Sequence, residues 1–183
     1  GDFRADAALV AAEREALKNA RAIITPHSDV AALFPDRARL LDWEMPRPGA
    51  RRANHKNEKP VLVFPAATVG RKGCYELREA IASLDVKLIV LGPPTEGAEF
   101  WKGFDVERGS ENWLEVADLV VLPAFVEHKP RRLLLAAVSG VPVIATASCG
   151  VEGVPNLSNV PPGDSGALKK AILESVRTPT PSA

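Results

Sequence analysis

The chain has few cysteines, no long apolar run and no surplus of charge of either sign. Lys plus Arg and Asp plus Glu each total 23, so the net charge is zero and gives no general attraction to nucleic acid or to a membrane. The longest apolar runs fall far short of the ~20 residues that a membrane-spanning helix needs. Cys74 and Cys149 lie far apart and lack the spacing of metal ligands, so we expect small packing residues in a reduced protein.

The composition that remains is typical of a soluble globular protein, with 46% hydrophobic and 25% charged residues in 183 positions. This length holds one domain of ordinary size, with an appended piece at most. Residues Gly1 to Arg4 lead directly into polar, helical sequence, so we expect no signal peptide. We therefore expect a cytoplasmic protein.

The amino-terminal part predicts a short helix–strand appendage. Apolar residues recur at helical spacing along residues 6–20, with charges on the opposite face. Residues 46–59 contain two prolines and a cluster of bases without apolar periodicity, so they predict an exposed linker. The face of the first helix comprises Leu9, Ala12, Glu13, Ala16, Leu17 and Ala20. We predict that this helix is followed by a strand at 22–25, by a brief helix that is capped by Ser28 and reaches Leu33, and by an extended segment at 39–43.

Beyond the linker, apolar strands alternate with amphipathic helices. The strand segments are rich in Val, Ile and Leu, as expected of strands that are covered on both faces. Alternation at this spacing favours right-handed crossovers and a parallel sheet, which is an α/β fold with Rossmann-like three-layer α/β/α architecture. The predicted strands are 61–64, 86–91, 119–122 and 143–146. Four helices are predicted between and after these strands, and the residues named here are their inward faces. The first has Leu77, Ala80, Ile81 and Leu84, and the second has Trp113, Leu114 and Ala117 after a Ser110 cap. The third is an apolar run after Pro130, and the last has Leu168, Ala171, Ile172 and Val176.

Two loops at the carboxyl ends of predicted strands carry the residues best suited to chemistry. Ligands of open parallel sheets bind at this edge, and a helix start offers N–H groups and a positive dipole to an anion. One loop holds the adjacent bases Arg71 and Lys72 between two glycines, and the other places Glu127 just before a helix. By itself the first loop fits an anion cradle or, equally, a basic turn that caps a helix. It is neither GxGxxG nor a P-loop, so a nicotinamide dinucleotide or ATP is not predicted. The shared sheet edge favours one ligand cleft.

Four segments stand out in order along the chain: GRKG at 70–73, ADLVVLP at 117–123 with Glu127 after it, AAVSGVPVIAT at 136–146 and PPGD at 161–164. Together they resemble the carboxyl-terminal, donor-binding domain of retaining group 1 glycosyltransferases with the GT-B fold. GRKG is similar to the loop whose Lys-Gly holds the donor diphosphate. ADLVVLP resembles the strand that leads to the family's acid, and Glu127 falls at the first acid of its E-x7-E motif. The resemblance covers about 61–176.

The resemblance implies transfer of a sugar from a nucleotide-diphosphate donor, such as a UDP- or GDP-sugar, with retention and without a metal or other cofactor. Lys72, Arg71 and the N–H groups of the following helix start would stabilise the departing diphosphate. Glu127, the implied catalytic residue, would orient the donor sugar. The base and ribose would lie against the Gly92-Pro93 turn and residues 104–110. The implied donor-binding residues are Gly70, Arg71, Lys72, Gly73, Gly92, Lys129, Pro130, Arg131, Arg132 and Leu135.

Three positions depart from the family pattern. The second acid of E-x7-E falls at Leu135, which cannot accept a hydrogen bond from the ribose, and an unpartnered hydroxyl costs ~1–3 kcal/mol or must bind water. The family usually has an Arg five residues before the Lys of its Lys-Gly pair, and this position is Ala67 here. The family commonly has a glycine three residues after its first acid, and this position is Pro130, which has no N–H to donate. We therefore expect donor binding to be weaker or differently arranged than is usual for the family. The alternative hypothesis is a non-catalytic interaction or regulatory module that has kept the fold and lost the ligand.

The resemblance also gives the predicted domain boundaries. Residues 13–25 resemble the closing helix and strand of the family's amino-terminal, acceptor-binding domain. Residues 1–45 are therefore predicted to be the end of that domain, as in a truncated or degenerate homologue, and 46–59 to be the interdomain crossing. Residues 60–178 form the donor-binding domain and 179–183 a frayed tail. With most of the acceptor side missing, we expect no turnover by the isolated chain. The sequence leaves open whether the acceptor is a glycan, a lipid or a small molecule, and whether the chain forms a homodimer. The basic residues Arg47, Arg51, Arg52 and Lys56 could make peripheral contact with a membrane, but a solvated linker is the favoured interpretation of this segment.

Overall fold

The computed structural model describes residues 6–50, 57–109, 111–151 and 153–177. The chain forms two compact units, Gly1–Trp43 and Glu44–Ala183. The predicted boundaries at 45/46 and 59/60 stay predictions, although residues 44–50 belong to the second unit. The predicted tail at 179–183 lies outside the described residues.

The first unit is a small helix–strand element. Helix α1 (Ala7–Asn19) begins after Asp6, whose side chain accepts hydrogen bonds from the N–H groups of Ala8 and Leu9 at 2.9 and 3.1 Å. This is the capping geometry that satisfies the free N–H groups of a first turn. Strands β1 (Ile23–Thr25) and β2 (Ala38–Leu40) pair in parallel and flank helix α2 (Ser28–Ala32).

The predicted first helix is present. None of its residues is fully buried, and on the predicted apolar face Leu17 is half-buried, as is Ala20 just beyond the helix. One prediction about this unit is wrong. Ser28 does not cap α2: the helix begins at Ser28 itself, and His27 occupies the capping position without a capping side-chain bond.

The second unit is a six-stranded parallel sheet flanked by helices, which confirms the predicted α/β Rossmann-like class. The strand order is β5-β4-β3-β6-β7-β8. The strands are β3 (Val61–Phe64), β4 (Lys87–Val90), β5 (Val106–Arg108), β6 (Leu119–Leu122), β7 (Val143–Ala145) and β8 (Leu157–Asn159). The helices are α3 (Cys74–Ile81), α4 (Trp113–Val116), α5 (Arg131–Val138) and α6 (Ser165–Arg177).

The core lies around the central strands β3 and β6. Every residue of these two strands is buried, because helices cover both faces of the sheet and leave no polar side to alternate. Helices α3 and α6 pack against each other on one face. Both cysteines are buried, free thiols, as expected for packing residues.

Differences from the sequence prediction concentrate at the sheet edges. Strands β5 and β8 were not predicted, because each has three residues that are half-buried or exposed and so lacks an apolar run. Leu84 lies beyond the end of α3 and is half-buried, and Ala171 and Val176 are half-buried while their neighbours Leu168 and Ile172 are buried. The predicted Ser110 cap lies outside the described residues.

Part of the predicted linker is bonded to the rest of the second unit. The N–H of Gly49 donates to Ser139 Oγ at 2.8 Å, and Asn57 Nδ2 donates to Val116 O at 2.9 Å and to Asp118 Oδ2 at 2.7 Å. Arg47 is exposed, whereas Arg51, Arg52 and Lys56 lie outside the described residues, so membrane contact stays a prediction. Within the described ranges, no helix combines the length and apolar character that crossing a bilayer requires.

The double-sided burial of the sheet predicts a large cost for a cavity in it. Ile144 on β7 is fully buried, and Ile144→Ala is expected to lower the free energy of unfolding by about 2–5 kcal/mol in urea titration. Ile24, a strand isoleucine that is 66% exposed, provides the matched control. Ile24→Ala is expected to cost less than about 0.5 kcal/mol. Equal losses in the two variants would contradict the described core.

Candidate functional site

The topology of the sheet marks one place on its carboxyl edge. Strands β3 and β6 are neighbours, but the chain leaves β3 towards β4 and leaves β6 towards β7, on opposite sides. Such a switch point opens a crevice between the loops that follow the two strands, and ligands of open α/β sheets bind there. The loop after β3 contains Lys72 and the loop after β6 contains Glu127, so both predicted residues lie at this position.

Lys72 ends a single 3-10 turn, Gly70–Lys72, and its side chain is only 10% exposed. Its ammonium Nζ donates to the carbonyl oxygen of Val126 at 2.8 Å and to Glu127 Oε2 at 3.1 Å. A nearly buried ammonium is costly unless it is paired and hydrogen-bonded, and the loop after β6 supplies both partners. The structure thus brings together two residues that are 55 positions apart in the chain.

Glu127 is equally enclosed, with 11% of its side chain exposed. Its Oε1 accepts the backbone N–H of Lys129 at 2.8 Å, while Oε2 faces Lys72. Burial raises the pKa of the carboxyl, but the N–H of Lys129 and the ammonium of Lys72 outweigh burial and hold the pKa below its ordinary value of 4.5. Glu127 is therefore a carboxylate at neutral pH.

Backbone contacts fix the two loops to each other. The carbonyl of Arg71 accepts the N–H groups of Phe125 at 3.0 Å and of Val126 at 3.4 Å. Gly73 has φ +75°, and a Cβ at this position would overlap the carbonyl of Pro123. Both observations require glycine at position 73, because other residues rarely adopt this φ and none would fit the space. The side chain of Arg71 is exposed.

Gly92, at the end of β4, permits a third loop to approach the site. A Cβ on Gly92 would overlap backbone atoms of Ala66 and Ala67, in the loop that precedes Lys72. The N–H of Thr68 donates to Pro93 O at 2.9 Å in the same region. Gly92 therefore acts through close packing of two loops.

The helix start after Glu127 is less open to an anion than its sequence indicates. Pro130 has no N–H, the N–H of Lys129 is bonded to Glu127, and the N–H of Arg131 donates to Lys129 O at 2.8 Å. Arg132 Nη1 donates to Pro65 O at 2.7 Å and so connects α5 to the loop after β3. The side chains of Lys129 and Arg131 are exposed at this edge.

Leu135 lies one residue after the buried Leu134 on α5 and is half-buried itself. A leucine side chain has no polar atom that could accept a hydrogen bond. The proposed consequence for ribose binding stays a prediction.

Other candidate sites are weaker. One cavity, of about 230 Å³, is lined by residues around the β4–β5 connection. Another, of about 190 Å³, lies between that connection and the segment that joins α3 to β4. Neither cavity includes Lys72 or Glu127. Among the described residues, no group of three or more His, Cys, Asp or Glu side chains is placed to hold a metal ion. The position favoured by both topology and buried charge is therefore the crevice between the loops after β3 and β6.

One residue at this crevice was missed by the sequence analysis. The carboxylate of Glu96, in the loop after β4, accepts the N–H of Gly70 at 2.9 Å. Its sequence context, two prolines and a threonine in a polar loop, contains no motif that would have identified it.

A family model described as glycosyl transferases group 1 matches residues 59–177. A search of curated proteins finds no match. Among solved structures, sucrose-phosphate synthase from Thermosynechococcus elongatus is 22% identical with a TM-score of 0.74, covering 95% of this chain and 53% of that one.

Two further solved structures show the same fold. WaaG, a glycosyltransferase involved in lipopolysaccharide biosynthesis, is 20% identical with a TM-score of 0.64, covering 85% of this chain and 53% of that one. Anabaena Alr3699/HepE in complex with UDP and glucose is 16% identical with a TM-score of 0.63, covering 92% of this chain and 56% of that one. This chain therefore spans about half the length of these structures.

The lowered pKa of Glu127 predicts how the ion pair contributes to stability. A carboxyl whose pKa is lower in the folded state stabilises the fold above its unfolded pKa and loses that contribution as the pH falls through the folded value. At pH 7, Glu127→Gln is expected to lower the free energy of unfolding by about 1–3 kcal/mol, because Lys72 loses its charged partner. The difference from wild type is expected to shrink as the pH falls below 4.5, the ordinary value for this group.

Glu79→Gln, at an exposed position of α3, is the control for loss of a carboxylate and is expected to change stability by less than about 0.5 kcal/mol at either pH. Urea titrations between pH 3 and pH 7 measure both variants. The ion pair would be contradicted if the difference in the free energy of unfolding between wild type and Glu127→Gln stayed constant or grew as the pH fell.

Proposed function

Because this chain belongs to the group 1 glycosyl transferases, we propose that it binds the diphosphate of a nucleotide-sugar donor at the crevice between Lys72 and Glu127. The observation that carries the proposal is the convergence of a nearly buried ammonium and a nearly buried carboxylate at the switch point of the sheet. Neither charge is needed to build a parallel sheet, so their enclosure at its ligand-binding edge favours a functional role.

Lys72 is suited to hold the diphosphate without leaving its partners. An ammonium has three N–H donors, and within the described residues two of them are used, by Val126 and Glu127. The third donor is available for a phosphate oxygen. As the bond to the sugar breaks, negative charge builds up on the diphosphate, and a fixed cation in a partly buried site stabilises that charge by several kcal/mol. Arg71, which is exposed in the same turn, adds positive charge nearby.

Glu127 is proposed to orient the donor sugar. Its two oxygens offer about four acceptor positions, and only part of this capacity is taken up by Lys129 and Lys72. The remaining lone pairs accept sugar hydroxyls. The ion pair keeps the carboxylate charged and fixed in place, so little reorganisation is needed when the sugar arrives. In this scheme the transfer proceeds with retention and without a metal.

The nucleoside is proposed to lie against the Gly92-Pro93 turn and residues 104–110, where backbone groups recognise the base. Leu135 leaves the ribose without the carboxylate that the family pattern provides, which weakens binding by about 1–3 kcal/mol. UDP is the first nucleotide to test, since the Anabaena protein of the same fold was solved with UDP and glucose. GDP is the second.

A non-catalytic interaction or regulatory module is the second candidate function. Leu135 and Ala67 favour it, because both replace polar residues that the family uses for the donor. The closed arrangement of the α5 start favours it as well, since Lys129 and Arg131 already have partners for their N–H groups. Under this hypothesis the chain keeps the fold and binds no nucleotide.

We further expect that these 183 residues bind donor without transferring sugar, since the acceptor side of the family is proposed to lie mainly in its other domain. A coupled assay for nucleotide release measures this directly. Sustained release that requires an added acceptor would overturn the expectation.

Calorimetric titration with UDP, GDP and ADP distinguishes the two functions. Lys72→Met keeps the aliphatic stem and removes the ammonium, so it is expected to weaken binding at least tenfold, as the loss of a charged hydrogen bond worth about 1.5–3 kcal/mol implies. Lys170→Met is the matched control, because Lys170 is 78% exposed on α6. It is expected to bind like wild type.

Two results would contradict the donor-binding proposal. Wild-type protein that binds none of the three nucleotides would favour the non-catalytic module. Binding that is unaffected by Lys72→Met would place the nucleotide elsewhere on the chain.

A further inference from the structure

Glu96 occupies an unusual position for an exposed acid, because its carboxylate joins two elements of the site. Oε1 accepts the backbone N–H of Gly70 at 2.9 Å, and Oε2 accepts the hydroxyl of Tyr75 at 2.7 Å. Gly70 begins the turn that ends in Lys72, and Tyr75 lies in the first turn of α3. One carboxylate from the loop after β4 thus binds both ends of the segment that presents the ammonium.

The N–H of Gly70 has no hydrogen-bond acceptor within its own turn, and Glu96 supplies one. The first N–H groups of a helical turn have no partner within it and are usually capped by a preceding side chain. Here the capping residue is Val69, which has no side-chain capping bond. Glu96, 26 positions away in sequence, supplies the acceptor instead. A negative charge at this end also complements the dipole of the turn.

The position of Glu96 is itself fixed by its surroundings. Its backbone N–H donates to Thr68 O at 2.9 Å, and the N–H of Thr68 donates to Pro93 O at 2.9 Å. The side chain of Thr68 is fully buried and accepts the indole N–H of Trp101 at 3.0 Å. The ring of Tyr75 packs edge-on against Phe100, with centroids 5.0 Å apart. The backbone of Glu96 is therefore held by hydrogen bonds, and the ring of its partner Tyr75 is held by packing.

Electrostatics agree with this arrangement. The hydroxyl of Tyr75 and the N–H of Gly70 lower the pKa of Glu96, and the carboxylate in turn raises the pKa of Tyr75. Glu96 is charged and acts only as a hydrogen-bond acceptor at neutral pH.

We propose that Glu96 is a positioning residue for donor binding: it holds the Gly70–Lys72 turn so that the Lys72 ammonium faces Val126 and Glu127. This inference rests on the proposed function and adds a residue from a third loop to it. Glu96 acts through Lys72 and does not itself contact the diphosphate, whose charge it would repel.

Three variants test the proposal with UDP as the probe. Glu96→Ala removes both acceptors and is expected to weaken UDP binding about tenfold, because the turn that presents Lys72 loses its fixed geometry. Glu96→Gln keeps an acceptor for Gly70 and is expected to recover binding to within about threefold of wild type. Glu99→Ala is the matched control, since Glu99 is an acid three residues away whose side chain is 78% exposed. It is expected to bind like wild type.

Amide hydrogen exchange of Gly70, measured by NMR on the nucleotide-free chain, reports on the turn independently of ligand. We expect protection in wild type and in Glu96→Gln, faster exchange in Glu96→Ala, and no change in Glu99→Ala. Equal weakening of UDP binding by Glu96→Ala and Glu99→Ala would overturn the inference, as would a Gly70 amide that exchanges at the same rate with and without Glu96.

The two measurements separate the inference from the function beneath it. If wild type binds no nucleotide, the proposed function fails, and the Gly70 amide still decides whether Glu96 holds the turn. If UDP binds and Glu96→Gln is as weak as Glu96→Ala, the hydrogen bond to Gly70 is not what positions Lys72, and the inference fails alone.

Discussion

The contact between Lys72 and Glu127 is the constraint on which the rest of the site depends. Two charges that are each about one-tenth exposed are stable only as partners, so each loop must adopt the conformation that brings its charge to the other. The sheet makes this possible because β3 and β6 are adjacent while their crossovers diverge. Gly73 then permits the backbones of the two loops to touch, and Arg71 O fixes them by accepting N–H groups from the opposite loop.

The same contact explains why the site is arranged differently from a simple helix-start anion site. At the start of α5, Pro130 lacks an N–H and the N–H of Lys129 is used to hold Glu127. Under the proposed function, positive charge for a diphosphate comes chiefly from a side chain that is itself held in place. Leu135 stands where the family pattern has a carboxylate, so fewer polar contacts to a donor are expected on the ribose side.

The sequence predicted the parts of the molecule that apolar runs and ordered motifs determine. The strands at 61–64 and 119–122 were predicted with their observed bounds, because strands buried on both faces are continuous apolar segments. The placement of Lys72 and Glu127 at one sheet edge followed from the position of both loops after parallel strands, while their functional roles stay predictions. Strands β5 and β8 escaped because short edge strands carry no apolar run. The exposure of α1 and the role of Glu96 depend on contacts between segments distant in sequence, which no local pattern encodes.

The most direct measurement of the central claim is a crystal structure of this chain with UDP bound. The account predicts a diphosphate oxygen within hydrogen-bond distance, about 3 Å, of Lys72 Nζ, with the carbonyl of Val126 still accepting from the same ammonium. A nucleotide bound at any other edge of the sheet, with the Lys72–Glu127 pair untouched, would contradict it.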